Sequence, residues 1–259
     1  MPFKKGDFLL VEYVAKVKET GEVFDTTQEE LAKEKRLYKE GEIYEAKLIV
    51  IGEGWVLETL DESLLTLSLN KLGTVEIPPD KAFGPRDPEK VRMIPLKRLR
   101  DKGMSPTLGM RIEYEKKMAT IRTVGAGRVQ LDFNPPLAGK TLVYEITAKK
   151  KLLTRDKKVL ALIRRRIPLI ETNKFTLELE KATATINIPE EAYYLEGIQI
   201  AKRGIASDIH RFFPMIENVK FVETFKNPKT PKKPRVTSEK KEQKTKRRKS
   251  RTKQTAVHK

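Results

Sequence analysis

Residues 77–91 read IPPDKAFGPRDPEKV and contain four prolines around a single aromatic residue, Phe83. Proline has no N–H to give to a sheet ladder, so the strand before this stretch ends here. An aromatic side chain on what is otherwise a surface-like loop asks for a reason. A second proline-rich stretch, NPPLAGKTLVYEI (residues 134–146), leads into a new strand. The fifty residues from Pro85 to Asn134 therefore interrupt a sheet that is left and later rejoined.

Upstream, DFLLVEYVAKV alternates with period two and sets Leu9, Val11, Tyr13, Ala15 and Val17 on one side of a strand. A glycine turn in KETGEVFDTT leads to a second short strand. Residues 29–46 are charged and only partly helical in pattern, which fits a surface excursion. KLIVIGEG is a further strand. VLETLDESLLTL places Val56, Leu57, Leu60 and Leu64 on one face of a short amphipathic helix. LGTVEIPP and KTLVYEITAKKK supply the last two strands. Strands, one helix and strands again describe an α+β domain, an antiparallel sheet packed on one short helix, over residues 1–84 and 135–151.

Within residues 85–134, VRMIPLKRL, RIEYEKKMATIRTV and GRVQLDFN read as short strands joined by glycine turns, with no strong helix. This small β-rich insert holds 12 Lys or Arg against 6 Asp or Glu. After residue 151 the pattern changes again. TRDKKVLALIRRRIP has Thr154 as N-cap, Asp156 in the first turn, arginines in the last turn and Pro168 as a stop; Val159, Leu160, Ile163 and Ile167 share one face. KFTLELE and ATATINIP alternate as strands. A second helix carries Ile198, Ala201, Ile205, Ile209 and Phe212 on one face, and NVKFVETF closes a second α+β domain over residues 152–226. The amphipathic faces of its two helices suggest docking of a second copy, a homo-oligomer. His210 lies on the second helix without a ligand-type partner at helical spacing and reads as an ordinary histidine.

The chain of 259 residues carries a net charge of +18 and no cysteine, which excludes disulfides, thiolate metal sites and a cysteine nucleophile. With two histidines far apart, no metal site is expected. No apolar run reaches the roughly 20 residues of a membrane span, and the N-terminal apolar run is broken by Glu12, so no signal peptide and no membrane partner are expected and the reading is cytoplasmic. Abundant Lys and Glu with 11 Asn or Gln fit a thermophile. Residues 227–259 hold 14 Lys or Arg and 2 Glu, a basic tail expected to be disordered alone. Lys244, Lys246, Arg247, Arg248, Lys249, Arg251 and Lys253 crowd into ten of its residues as a candidate polyanion-binding cluster.

Five segments in order carry a resemblance: YVAK with Tyr13, GEVFDTT with Phe24 and Asp25, GEGWVLETLDESL with Val56, Leu57 and Leu60, KAFG around Phe83, and PLAGKTLVYEIT with Leu142 and Tyr144. Together they resemble FKBP-type peptidyl-prolyl cis–trans isomerases. The fifty-residue interruption sits where the SlyD-like branch carries its insert-in-flap chaperone domain. The excursion and the extra C-terminal domain are similar to the long archaeal members.

The resemblance implies a proline pocket with Asp25, Phe24 and Phe83 as the catalytic group. Tyr13, Val56, Leu57, Leu60, Leu142 and Tyr144 line it, and no cofactor is needed. Read without the resemblance, Val56, Leu57 and Tyr144 serve equally well as core residues. Two positions depart from the family. Phe83 stands where a tyrosine is frequent and so lacks a hydroxyl for the substrate carbonyl. Leu60 stands where many members have a tryptophan, and Trp55 is too early to replace it. The histidine-rich tail of some SlyD relatives is absent, so no nickel is expected. The expected activity is isomerisation of X-Pro bonds in unfolded or nascent polypeptides, which the insert captures as a chaperone. The competing expectation makes the protein a ribosome- or RNA-associated factor, through the basic tail, with the isomerase domain as an accessory.

Overall fold

The alternating stretch found first in the sequence forms β1 (Phe8–Val17), the strand to which three others bond in a five-stranded sheet. The computed structural model describes residues 3–227. β2 (Val23–Thr26) pairs with the second half of β1, and after α1 (Glu29–Glu34), β3 (Lys47–Val50) pairs with its first half. α2 (Glu58–Leu64) and β4 (Leu72–Ile77) follow. All pairings in this sheet are antiparallel. α2 begins two residues later than the apolar spacing implies, because Leu57 is an extended N-cap and Val56 precedes it.

Between β4 and the strand that rejoins the sheet lies a separate four-stranded antiparallel sheet. It consists of β5 (Val91–Pro95), β6 (Arg111–Tyr114), β7 (Lys117–Gly125) and β8 (Arg128–Asp132), in the order β5-β8-β7-β6. It has its own core of Ile94, Leu99, Ile112, Tyr114, Ala119, Ile121, Val129 and Leu131. Two details differ from the strand-only expectation. LKRLR closes into the short helix α3 (Leu96–Arg100), whose Leu99 is fully buried and plugs the core. RIEYEKKMATIRTV is a hairpin, since Glu115 and Lys116 both take positive φ and turn the chain in two residues.

β9 (Leu142–Leu152) then rejoins the first sheet between β1 and β4. The junction is clamped. Asp87 N–H donates to Asn134 Oδ1 at 2.9 Å, Asn134 Nδ2 returns a bond to the Asp87 carbonyl at 2.9 Å, and Phe133 N–H donates to the Lys90 carbonyl at 2.9 Å. Arg86 and Arg122 converge on Asp132 Oδ2, at 2.9 and 3.0 Å.

α4 (Arg155–Arg166) starts at Thr154, whose hydroxyl accepts from Lys157 N–H at 3.5 Å. β10 (Thr176–Leu179), β11 (Thr183–Asn187), α5 (Ile198–Phe212) and β12 (Asn218–Val222) complete a three-stranded sheet. β11 and β12 are parallel, so the chain needs a crossover, and α5 supplies it. Val159, Leu162, Ile163, Ile205 and Ile209 of the two helices share one core with Phe8, Val50 and Leu152 of the first sheet. β1 is thus buried on both sides. Leu9, Val11 and Ala15 pack toward α2, while Phe8 faces the C-terminal unit. The helix faces that suggested self-association are covered within the chain itself and leave that expectation without its motive. Residues up to Glu223 form one compact unit. Among the described residues no helix is long and apolar enough to cross a membrane.

Candidate active site

Phe24 and Asp25 are neighbours in sequence, and in a regular strand their side chains would point to opposite faces. The β1–β2 ladder prevents this. Ala15 pairs with Asp25 and Lys16 with Val23, so Phe24 is the extra residue of a β-bulge. A bulge re-aims side chains, and here both are left half-buried between buried Val23 and Thr26. Tyr13, two residues before Ala15 on β1, donates its hydroxyl to Asp25 Oδ2 at 2.7 Å. β9 brings Tyr144 opposite the same Ala15. Phe24 meets the Tyr144 ring edge-on at 6.1 Å and Tyr13 lies 5.9 Å from it.

Tyr13 occupies the gap between β2 and β3 on one edge of β1, while β9 pairs with it on the other edge. Its backbone is satisfied by Thr27 instead: the Thr27 hydroxyl accepts from Tyr13 N–H at 2.9 Å, and Thr27 N–H donates to the Tyr13 carbonyl. Thr27, between β2 and α1, therefore keeps the Tyr13 main chain paired, and the Tyr13 side chain is half-buried.

Val56 and Leu57 are half-buried and pack against the same core as Tyr13 and Phe24, with Leu60 beneath them at 3% exposure. Leu142 has no exposed surface, so it supports the site from below and offers no direct contact. Phe83 stands apart. It is 44% exposed and is absent from the packed core, although its neighbour Ala82 packs there. Its loop is held in place by Gly84 N–H donating to Pro79 and by Gly139 N–H donating to the Gly84 carbonyl at 2.8 Å. Gly139 has φ +72°, and a Cβ there would meet Arg86 at 3.0 Å, so the approach requires glycine. The loop containing Gly139 also supplies Leu137, a core neighbour of the site that period-two reading missed because it lies outside any strand. Trp55 packs edge-on against Phe212 at 5.8 Å in the C-terminal core and does not replace Leu60. Lys244, Lys246, Arg247, Arg248, Lys249, Arg251 and Lys253 lie outside the described residues.

Both phenols remain protonated at neutral pH. Burial and the charge of Asp25 push the Tyr144 hydroxyl up to about 12. Burial, and then the hydrogen bond to Asp25, push Tyr13 up further. The Tyr144 hydroxyl has no protein partner among the described residues. No group of three or more His, Cys, Asp or Glu side chains among the described residues is placed to hold a metal ion. The arrangement offers an apolar, aromatic recess with one carboxylate and two neutral phenols, and no nucleophile. Such a set can bind and desolvate a planar group.

The chain is similar to proteins with that chemistry in their names. A family model described as FKBP26 C-terminal matches residues 155–226, and one described as FKBP26, IF domain, matches residues 92–137. The short-type peptidyl-prolyl cis–trans isomerase of Methanocaldococcus jannaschii is 36% identical over 146 residues, 56% of this chain and 92% of that protein. The FKBP-type 16 kDa isomerase of Escherichia coli K12 is 28% identical over 104 residues, 38% of this chain and 69% of that protein. The isomerase SlyD of Helicobacter pylori is 27% identical over 99 residues, 37% of this chain and 53% of that protein. With more than a third of residues identical across nearly the whole of the first relative, the chain belongs to the FKBP-type peptidyl-prolyl cis–trans isomerase family.

Proposed function

We propose that the recess between Tyr13, Phe24, Asp25 and Tyr144 isomerises X-Pro bonds of unfolded or nascent polypeptides. The observation that carries this reading is the bulge that turns Phe24 and Asp25 toward one site. Rotation about a peptide bond is opposed by amide resonance, a barrier of roughly 18–20 kcal/mol. Resonance places charge on the carbonyl oxygen, so an apolar recess that strips water from the amide disfavours the planar form and lowers the barrier. A hydroxyl with no protein partner, that of Tyr144, is available to hold the substrate carbonyl, a role that Phe83 has no hydroxyl to fill. Asp25 fixes the Tyr13 ring as the opposite wall.

In the proposed division, residues 1–84 and 135–151 carry the isomerase, residues 85–134 hold unfolded clients, and residues 152–226 buttress the isomerase sheet. Met93 (53% exposed) and Met118 (51% exposed) support the holding role, since both point away from the insert's core. Thioethers are adaptable and suit a surface that must accept varied apolar segments. An edge of the four-stranded sheet adds main-chain pairing to such contacts.

The test is isomerisation of an X-Pro tetrapeptide by the full chain. Phe24→Ala and Asp25→Ala are expected to lower kcat/KM about tenfold or more, or about 1.4 kcal/mol of transition-state stabilisation. Folded variants with unchanged turnover would move the active site elsewhere.

A further inference from the structure

Beside the candidate site, a second recess opens between the excursion that follows β2 and helix α4. It is a cavity of ≈ 470 Å³ whose walls include Ile43, Trp55 and Pro168, with Leu48 behind them. Tyr13 and Val56 line it as well, so it adjoins the aromatic recess. A neighbouring cavity of ≈ 500 Å³ shares Leu10, Glu45, Ala46, Ala161 and Arg164 with it. Side by side, these spaces mark out a track along α4, with the Glu45–Arg164 pair on the wall common to both.

The walls of the track are fixed. Arg164 of α4 grips Glu45 of the excursion with two bonds, at 2.6 and 2.8 Å, and donates a third to the Ile170 carbonyl at 2.9 Å. The Arg165 guanidinium lies over Trp55 at 3.8 Å. Arg166 pairs with Asp208, and the three cations at the C-terminal end of α4 therefore already have protein partners or a ring to lie on. These three arginines are not free to receive an anion, although Lys47, Lys150 and Lys157 also line the two spaces. Around Ile43, Leu48, Trp55 and Pro168 the lining is mostly apolar, in a space large enough to take a large side chain.

We propose that this track is a second substrate subsite, which binds the polypeptide flanking the X-Pro bond through a large apolar side chain seated between Ile43, Trp55 and Pro168. The proposal rests on the reading of the adjoining recess as the X-Pro site. It gives α4 and the excursion a joint task, because neither forms the cavity alone. It also ties selection of extended chains over short peptides to the C-terminal unit.

Trp55 is the one tryptophan in the chain, so its emission reports directly on the track. The full chain is titrated with three tryptophan-free peptides: a tetrapeptide, a decapeptide with leucine and phenylalanine around the proline, and a decapeptide with glycine in their place. The apolar decapeptide is expected to shift or quench Trp55 emission saturably, and to show at least fivefold higher kcat/KM than the other two. Ala46→Arg, which fills the track, and Ile43→Glu, which charges its wall, are each expected to abolish both the emission change and the fivefold advantage while leaving far-ultraviolet circular dichroism unaltered. Normal turnover of the tetrapeptide with Trp55 emission unmoved by the apolar decapeptide overturns the subsite alone. Retention of the advantage by a folded Ala46→Arg variant does the same. Absence of turnover on every peptide overturns the isomerase reading and the subsite with it. If neither variant folds, the emission and rate series of the unsubstituted chain decide the matter.

Discussion

Asp132 is 1% exposed and yet sits where the insert meets the isomerase sheet, so its charge must be held by its neighbours. Burial acts to raise its pKa, but it is outweighed by the side-chain and backbone bonds from Asn134 and by Arg122 and Arg86, which together hold the carboxyl down to about 2 from an ordinary 3.8. Because the folded value lies below the unfolded one, the stabilisation is complete above about pH 4 and is lost as pH falls through about 2. Both arginines are half exposed, so solvent weakens their share, and the contribution is of order 1–2 kcal/mol. Asp132→Asn is expected to lower the melting temperature at pH 6–7 by several degrees, with the gap between variant and parent closing toward pH 2. An unchanged gap at low pH would mean that Asn at 132 acts by packing and not by charge. This cluster was not legible in the sequence. Asp132, Arg86 and Arg122 are distant along the chain, and no periodicity links them.

At the scale of elements, the sheet left at Pro78 and rejoined at Leu142 was legible, because prolines and glycines mark where a ladder must stop. The strands of the insert were legible too, apart from α3, whose five residues are too short to show a helical period. The bulge at Phe24 was not legible from alternation, which would send Phe24 and Asp25 to opposite faces; only the motif resemblance put both in one site. Burial of both sides of β1 also escaped a one-strand reading, because the second cover comes from helices more than a hundred residues away. The two ends of the insert lie side by side through the mutual bonds of Asp87 and Asn134, so it can be removed without stretching the body. Deletion of residues 87–132 with a short glycine bridge is expected to leave tetrapeptide isomerisation within about threefold of the parent. The same deletion is expected to abolish suppression of aggregation and to slow proline-limited refolding of a protein client. Equal catalysis of client refolding by the deleted form would leave the insert without its holding role.

For the whole molecule, charge is distributed unevenly. Residues 1–226 carry 40 Lys or Arg against 34 Asp or Glu, whereas residues 227–259 carry 14 against 2. Of these, residues 228–259 lie outside the described residues. We propose that they tether the isomerase to a polyanion, ribosomal RNA in the first instance. Lys244, Lys246, Arg247, Arg248, Lys249, Arg251 and Lys253 offer dense charge with no aromatic residue between them, which suits phosphate contact and not base stacking. The strength of such contact comes from counterion release. Neutralisation of about six phosphates would make affinity fall roughly a thousandfold between 50 and 200 mM salt. Tethering near nascent chains raises the local concentration of X-Pro bonds, so a weak client-holding surface and a shallow proline recess suffice there. The full chain is expected to sediment with ribosomes at low salt and to dissociate steeply as salt rises, while residues 1–226 stay in the supernatant throughout. Equal binding by the two forms, or a salt slope near zero, would reduce the tail to a solubilising segment without a fixed partner.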